Sequence, residues 1–131
     1  MGLFRQTELL VVEDCEDARA IYATYLRHAG FRVYEAADGA EALAVLKRTA
    51  IRGVILDLSL PVVSGIEVMR TIKRKRGREK PFVLIITGDP SVGAHRGAWA
   101  AGADDLCEKP CLPEEVLGRV RRLLQATKPA S

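Results

Sequence analysis

At 131 residues the chain is long enough for one compact domain with a sizeable buried core, and too short for a second domain of ordinary size. Hydrophobic residues make up 48% and charged residues 28%, a globular balance, and no run approaches the ~18 consecutive apolar residues of a membrane-crossing helix. The net charge of +3 is modest, and the start Met1-Gly-Leu-Phe-Arg5 lacks a secretory signal pattern, so a cytoplasmic protein is expected.

In chain order, Leu9–Val12 reads as a first strand. Apolar residues at Ala18, Ile21, Tyr22, Tyr25, Leu26 and Ala29 then form one predicted helix face that closes at Gly30. A second strand, Arg32–Glu35, leads to a helix starting at Asp38, with Glu41 three residues on in the spacing of a capping box. The third strand, Val54–Leu58, precedes a helix starting at Ser64, where Glu67 repeats that spacing.

A basic run follows, comprising Lys73, Arg74, Lys75, Arg76, Arg78 and Lys80. It lies at a predicted helix end, where cations suit the dipole, and no aromatic residues are interleaved for base stacking. It reads as a solvated helix end, and direct nucleic-acid binding is not expected.

The fourth strand is Phe82–Ile86, apolar on consecutive residues as in a sheet covered on both faces. Ser91–Ala101 reads as a soft helix, because Gly93 and Gly97 each weaken it by about 1 kcal/mol relative to Ala. After a fifth strand, Leu106–Glu108, the last helix opens at Pro113 with Glu114 and Glu115. It is predicted to bury Val116, Leu117, Val120, Leu123 and Leu124, with Arg121 and Arg122 near its end and a fraying tail from Gln125 to Ser131. Alternation of strand and helix predicts a parallel sheet with right-handed crossovers and helices on both faces. Cys15, Cys107 and Cys111 lack metal-ligand or redox spacing and are read as small hydrophobes.

In an open α/β sheet, ligands bind beyond the carboxyl ends of the strands. The residues at those ends are Glu13 and Asp14, Asp57, Thr87, and Lys109 followed by Pro110. Three clustered carboxylates repel one another unless a cation lies between them, and oxygen ligands without His or Cys suit Mg²⁺, with Mn²⁺ an alternative. Lys109 supplies a point charge and Thr87 a hydroxyl for an anion at the same edge. Such a site suits phosphoryl transfer to a carboxylate, with Asp57 the natural nucleophile.

With these residues in register, the chain from about Glu8 to Leu124 resembles the receiver domain of two-component response regulators, the CheY-like superfamily. The matching pattern is Glu13-Asp14 after the first strand, Asp57 with Pro61 and Gly65 after it, Thr87, and Lys109-Pro110. Asp38-Gly39-Ala40-Glu41-Ala42-Leu43 and Ala101-Gly102-Ala103-Asp104-Asp105 are also family-like. The resemblance implies a single doubly wound, flavodoxin-like domain over 1–131 with five parallel strands in the order 2-1-3-4-5 and five flanking helices.

It further implies that Asp57 takes phosphate from a sensor histidine kinase or a histidine phosphotransfer protein. Asp14, Asp57 and the backbone carbonyl of Ser59 would coordinate Mg²⁺, with Glu13 acting directly or through water. Lys109 would pair with the phosphoryl group, the Lys109–Pro110 bond would be cis, and Thr87 would move toward the phosphoryl oxygen. Such a domain assists its own phosphorylation and dephosphorylation without being an enzyme for others. Its signal would reach a downstream protein through the surface of the fourth helix, fifth strand and fifth helix.

Two positions on that surface stand out. Leu106 replaces the Tyr or Phe usual in the family three residues before the lysine, and Trp99, four residues after His95, shares a helix face with it. His95 reads as a surface residue, and Trp99 as either a partner contact or a packed side chain. Two rival functions are an N-terminal receiver fragment of a larger DNA-binding regulator and a phosphohydrolase with an aspartyl nucleophile. The hydrolase would need a second acid near Asp57, which is followed instead by Leu58-Ser59-Leu60, and a substrate cap.

Overall fold

The strand–helix alternation is present in the computed structural model, which describes residues 6–58, 65–76, 80–89 and 91–126. Its elements are β1 (Glu8–Val12), α1 (Glu16–His28), β2 (Arg32–Ala36), α2 (Gly39–Arg48), β3 (Gly53–Asp57), α3 (Gly65–Arg74), β4 (Phe82–Thr87), α4 (Val92–Ala100), β5 (Asp105–Glu108) and α5 (Pro113–Ala126). All the strand pairs are parallel, and the sheet order is β2-β1-β3-β4-β5. The parallel pairing follows from the connections, since each helix returns the chain to the amino end of the next strand.

Side chains alternate across each strand, so the sheet divides the core in two. Leu10, Val12, Val54, Leu56, Val83 and Ile85 face the side packed by α2, α3 and α4. Leu9, Val11, Ile55, Leu84 and Ile86 face the side packed by α1 and α5. Every residue of β3 and β4 is buried, as expected for central strands covered twice. Fully burying an aliphatic side chain contributes about 1.5–3 kcal/mol, so these strands anchor the residues at their ends.

The helix caps differ in detail from the sequence expectation. Asp38 Oδ1 accepts from the Glu41 N–H at 2.8 Å, but Glu41 Oε1 takes the N–H of Ala37, not that of Asp38, at 2.8 Å. The expected cap at Ser64 lies outside the described residues. Ser91 caps α4 by accepting from the Ala94 N–H at 3.1 Å, which offsets part of the cost of Gly93 and Gly97.

On α1 the buried stripe is Tyr22, Ala23 and Leu26, whereas Ile21 and Tyr25 are exposed. The predicted face was too wide, because helical residues are 100° apart and positions 21 and 25 fall on the outer flank. α1 ends at Ala29 with Gly30 at φ 104°, a left-handed conformation that suits glycine. α5 buries Val116, Val120 and Leu123 and continues to Ala126, two residues into the expected frayed tail. In the basic run, Lys75 Nζ donates to the Leu46 carbonyl at 3.1 Å and so caps the end of α2.

Candidate functional site

The carboxyl edge of the sheet collects the predicted residues because β1, β3, β4 and β5 end there side by side. Asp57 is the last residue of β3, and Thr87 is the last of β4 instead of following it. Both are almost completely buried, as is Glu13, just beyond β1, while Asp14 is exposed. The N-cap of α1 is Cys15, not Asp14, so Asp14 is free of the capping role that would have explained it structurally.

Lys109 Nζ donates to Asp57 Oδ2 at 2.9 Å and lies 3.4 Å from Glu13 Oε1. Its backbone N–H is fixed by the Thr87 carbonyl at 2.8 Å, which ties the β5–α5 turn to the end of β4. Glu13 is held by the Cys15 N–H on Oε2 at 3.0 Å and by Arg19 on its carbonyl at 2.8 Å. Thr87 Oγ1 accepts from the Asp89 N–H at 3.0 Å, and the hydroxyl retains a proton to donate. Gly88 leaves the mouth open, since even an added Cβ there would stand 3.8 Å from Lys109 Cδ. Gly65, at the start of α3, approaches the segment after Asp57 closely, and a Cβ would sit 3.2 Å from Leu58 Cδ2.

Carboxylate oxygens of Glu13, Asp14 and Asp57 lie within 4.8 Å of one another. Burial, with hydrogen bonding to Asp14 and the charge of Asp57 adding to it against the Cys15 N–H, pushes the Glu13 carboxyl up to about 7. Burial alone would lower Lys109, but its hydrogen bond to Asp57 and the charges of Asp57 and Glu13 raise it. Among the described residues, one lysine, Lys109, meets this cluster of three carboxylates. An all-oxygen donor set of this kind fits a hard divalent cation. Ser59 and Pro61 lie outside the described residues.

The profile of the response regulator receiver domain matches residues 9–121. The chain belongs to this family. The response regulator MprA of Mycobacterium leprae is 37% identical to this receiver domain over 121 residues, covering 92% of this chain and 52% of that protein. The chain thus spans about half the length of the curated relatives it matches. Among solved structures, the chemotaxis response regulator CheY4 of Vibrio cholerae superposes with a TM-score of 0.84 at 29% identity, covering 92% of this chain and 100% of that one. The receiver domain of sensor histidine kinase PA1611 from Pseudomonas aeruginosa gives 0.82 at 26% identity, covering 92% and 99%. That structure has a magnesium ion coordinated in its active-site cleft.

On the opposite flank of this receiver domain, Leu106 is half-buried against the α2–α4 core. Trp99 is 50% exposed, so the packed alternative does not hold. His95 is more than a surface residue, because its Nε2 lies 3.4 Å from Glu108 Oε1, across from α4 to the end of β5. The Lys109–Pro110 bond is cis, as the resemblance implied.

The cysteines overturn the sequence reading. Cys107 and Cys111 are joined by a disulfide across the β5–α5 turn, with their Cα atoms 6.3 Å apart, and Cys15 is exposed and free. A spacing of four residues carries no disulfide signal of its own, because only the turn decides whether two Cα atoms come within bridging distance. Bracketing of the site lysine by Cys107 and Cys111 was the one available hint.

Proposed function

We propose that this receiver domain is a phosphorylation-dependent switch in which Asp57 accepts a phosphoryl group from a phosphohistidine on a sensor histidine kinase or phosphotransfer protein in the cytoplasm. The observation that carries this reading is the ion pair of Lys109 Nζ with Asp57 Oδ2 at 2.9 Å, inside a cluster of three carboxylates. An Asp57 carboxylate oxygen forms the new O–P bond while the donor's N–P bond breaks and its electrons return to the imidazole. Lys109 exchanges Asp57 for a phosphoryl oxygen and stabilises the charge gathering there. Thr87 turns its hydroxyl toward a second phosphoryl oxygen.

Glu13, Asp14, Asp57 and the carbonyl of Ser59 would hold Mg²⁺, with Mn²⁺ a substitute; the ion neutralises charge on the transferring group. The same groups, with a water molecule admitted beside Gly88, would let the domain hydrolyse its own aspartyl phosphate. Movement of Thr87 would shift an existing equilibrium between two states at the α4-β5-α5 surface, where exposed Trp99 meets a downstream protein. Since the chain spans 52% of relatives such as MprA, the same switch fits the receiver part of a longer response regulator.

Incubation with phosphoramidate and Mg²⁺ is expected to add one acid-labile phosphate, seen by intact-mass measurement, and Asp57→Asn to abolish it. Absence of an adduct on the folded native protein would sink the proposal. Trp99 fluorescence followed in the same reaction reports whether the signal reaches α4 past Leu106.

A further inference from the structure

Two sulfur atoms flank the lysine of the site. Cys107 lies in β5, where it pairs with Ile86 of β4, the residue immediately before Thr87. Cys111 lies just before α5, and its carbonyl accepts a buried hydrogen bond from the Tyr22 hydroxyl at 2.8 Å. Between them stand Lys109 and Pro110, so the disulfide closes a short ring around the segment that aims the lysine. The lysine turn therefore has three ties: the disulfide, the Lys109 N–H on the Thr87 carbonyl, and the Tyr22 hydroxyl on the Cys111 carbonyl. The first of these is chemically reversible.

We propose that Cys107 and Cys111 are a reversible dithiol–disulfide pair, a redox modification site that sets how well Lys109 serves phosphoryl transfer to Asp57. The effect on transfer rests on the phosphoacceptor reading; the redox chemistry does not. Disulfides that form in reducing compartments are usually transient and redox-sensing instead of structural, which suits a pair placed on a working loop.

The surroundings assign different roles to the two sulfurs. Glu115 Oε2 lies 3.4 Å from Cys107 Sγ, and a neighbouring carboxylate disfavours the thiolate there. Both sulfurs belong to buried residues, but Cys111 borders an open hollow lined by Cys15, Tyr22, Lys109 and Pro110, the side from which a small thiol or disulfide would approach it. In oxidation by a low-molecular-weight disulfide such as oxidised glutathione, the Cys111 thiolate attacks one glutathione sulfur, breaking that S–S bond and releasing one glutathione thiolate. Cys107, giving up its proton, then attacks the mixed disulfide at Cys111 Sγ and releases the second glutathione. Two cysteine thiols and one glutathione disulfide thus become one intramolecular disulfide and two glutathione thiols.

With the bridge open, the turn loses one of its three ties and the lysine its fixed approach to Asp57. Small misplacements of a positioned group slow a reaction severalfold, and phosphorylation of the reduced form is expected to be slower by on the order of fivefold.

The protein is equilibrated in glutathione buffers from fully reduced to fully oxidised, acid-quenched, alkylated and mapped by mass. Cys107 and Cys111 are expected to lose alkylation together and to yield one linked peptide, with return to thiols on reduction. Parallel samples with phosphoramidate and Mg²⁺ give the rate of the phosphate adduct in each redox state. Cys107→Ala and Cys111→Ala, each checked by circular dichroism, are expected to remove the redox dependence, and Cys15→Ala to keep it. The titration of the native protein needs no variant, so a misfolded variant leaves the outcome decided.

Failure of the pair to link in fully oxidised buffer, failure to open in fully reduced buffer, or equal phosphorylation rates in both states would overturn the proposal. Tight retention of added Zn²⁺ by the reduced pair with Glu115, blocking reoxidation, would overturn it in favour of a metal site. If no adduct appears in either state, the phosphoacceptor reading fails, while the thiol titration still decides the redox chemistry.

Discussion

Replacing Glu13 with glutamine removes one ionisable group from the carboxylate edge and keeps an oxygen to accept the Cys15 N–H, now at 3.0 Å. In metal-free folded protein Glu13 holds its proton up to about pH 7, against an ordinary 4.5 in the unfolded chain. Between these values the native state binds more protons than the unfolded state, so stability falls as pH rises. Below pH 4.5 both states are protonated and the penalty is absent; above 7 it is fully present. At about 1.4 kcal/mol per pH unit, the interval corresponds to about 3 kcal/mol. The amide of the Glu13→Gln variant never ionises, so subtracting the variant's curve from the native one reports this contribution together with the coupling of Glu13 to its neighbours. Urea unfolding of both proteins in EDTA, at half-unit steps from about pH 4 to 8, is the assay. The native protein is expected to lose about 2–3 kcal/mol relative to Glu13→Gln across that window. Parallel curves, or a native curve that gains relative stability with rising pH, would refute the electrostatic account of the site.

Mg²⁺ at about a hundred times its dissociation constant is expected to stabilise the native protein by about 2.7 kcal/mol, and by less at about pH 6 than at about pH 8 because protons compete at Glu13. Asp14→Asn should weaken that stabilisation, which thermal unfolding with and without the ion measures. At Gly53 an added Cβ would run into the buried Phe82 ring. Gly53→Ala is therefore expected to destabilise by about 1–3 kcal/mol in the same unfolding assay, and an unchanged midpoint would contradict the tight β3–β4 packing.

The chemistry of this protein was legible along the chain because strand ends are legible. Consecutive apolar residues, as in Phe82–Ile86, announce a doubly covered strand, and whatever follows such a run lies at the carboxyl edge. Glu13, Asp14, Asp57, Thr87 and Lys109 were found in this way, before any contact between them was known. The helix start at Asp38 was also visible, since a cap is a local interaction between near neighbours.

Contacts that depend on how elements meet were not visible. Whether Ile21 and Tyr25 are buried depends on how α1 is rotated against the sheet, and the structure turns them outward. His95 faces Glu108 only because α4 lies beside β5, and the carboxyl of Glu13 is raised because packing buries it and brings Asp57 beside it. The bond between Cys107 and Cys111 belongs with these. Residue type and spacing determined which groups the domain has to work with, because they act through local backbone preference and hydrophobic periodicity. Which of those groups touch was decided by the packed sheet, because distance in space between residues far apart in the chain, or across a turn, is set by tertiary packing alone.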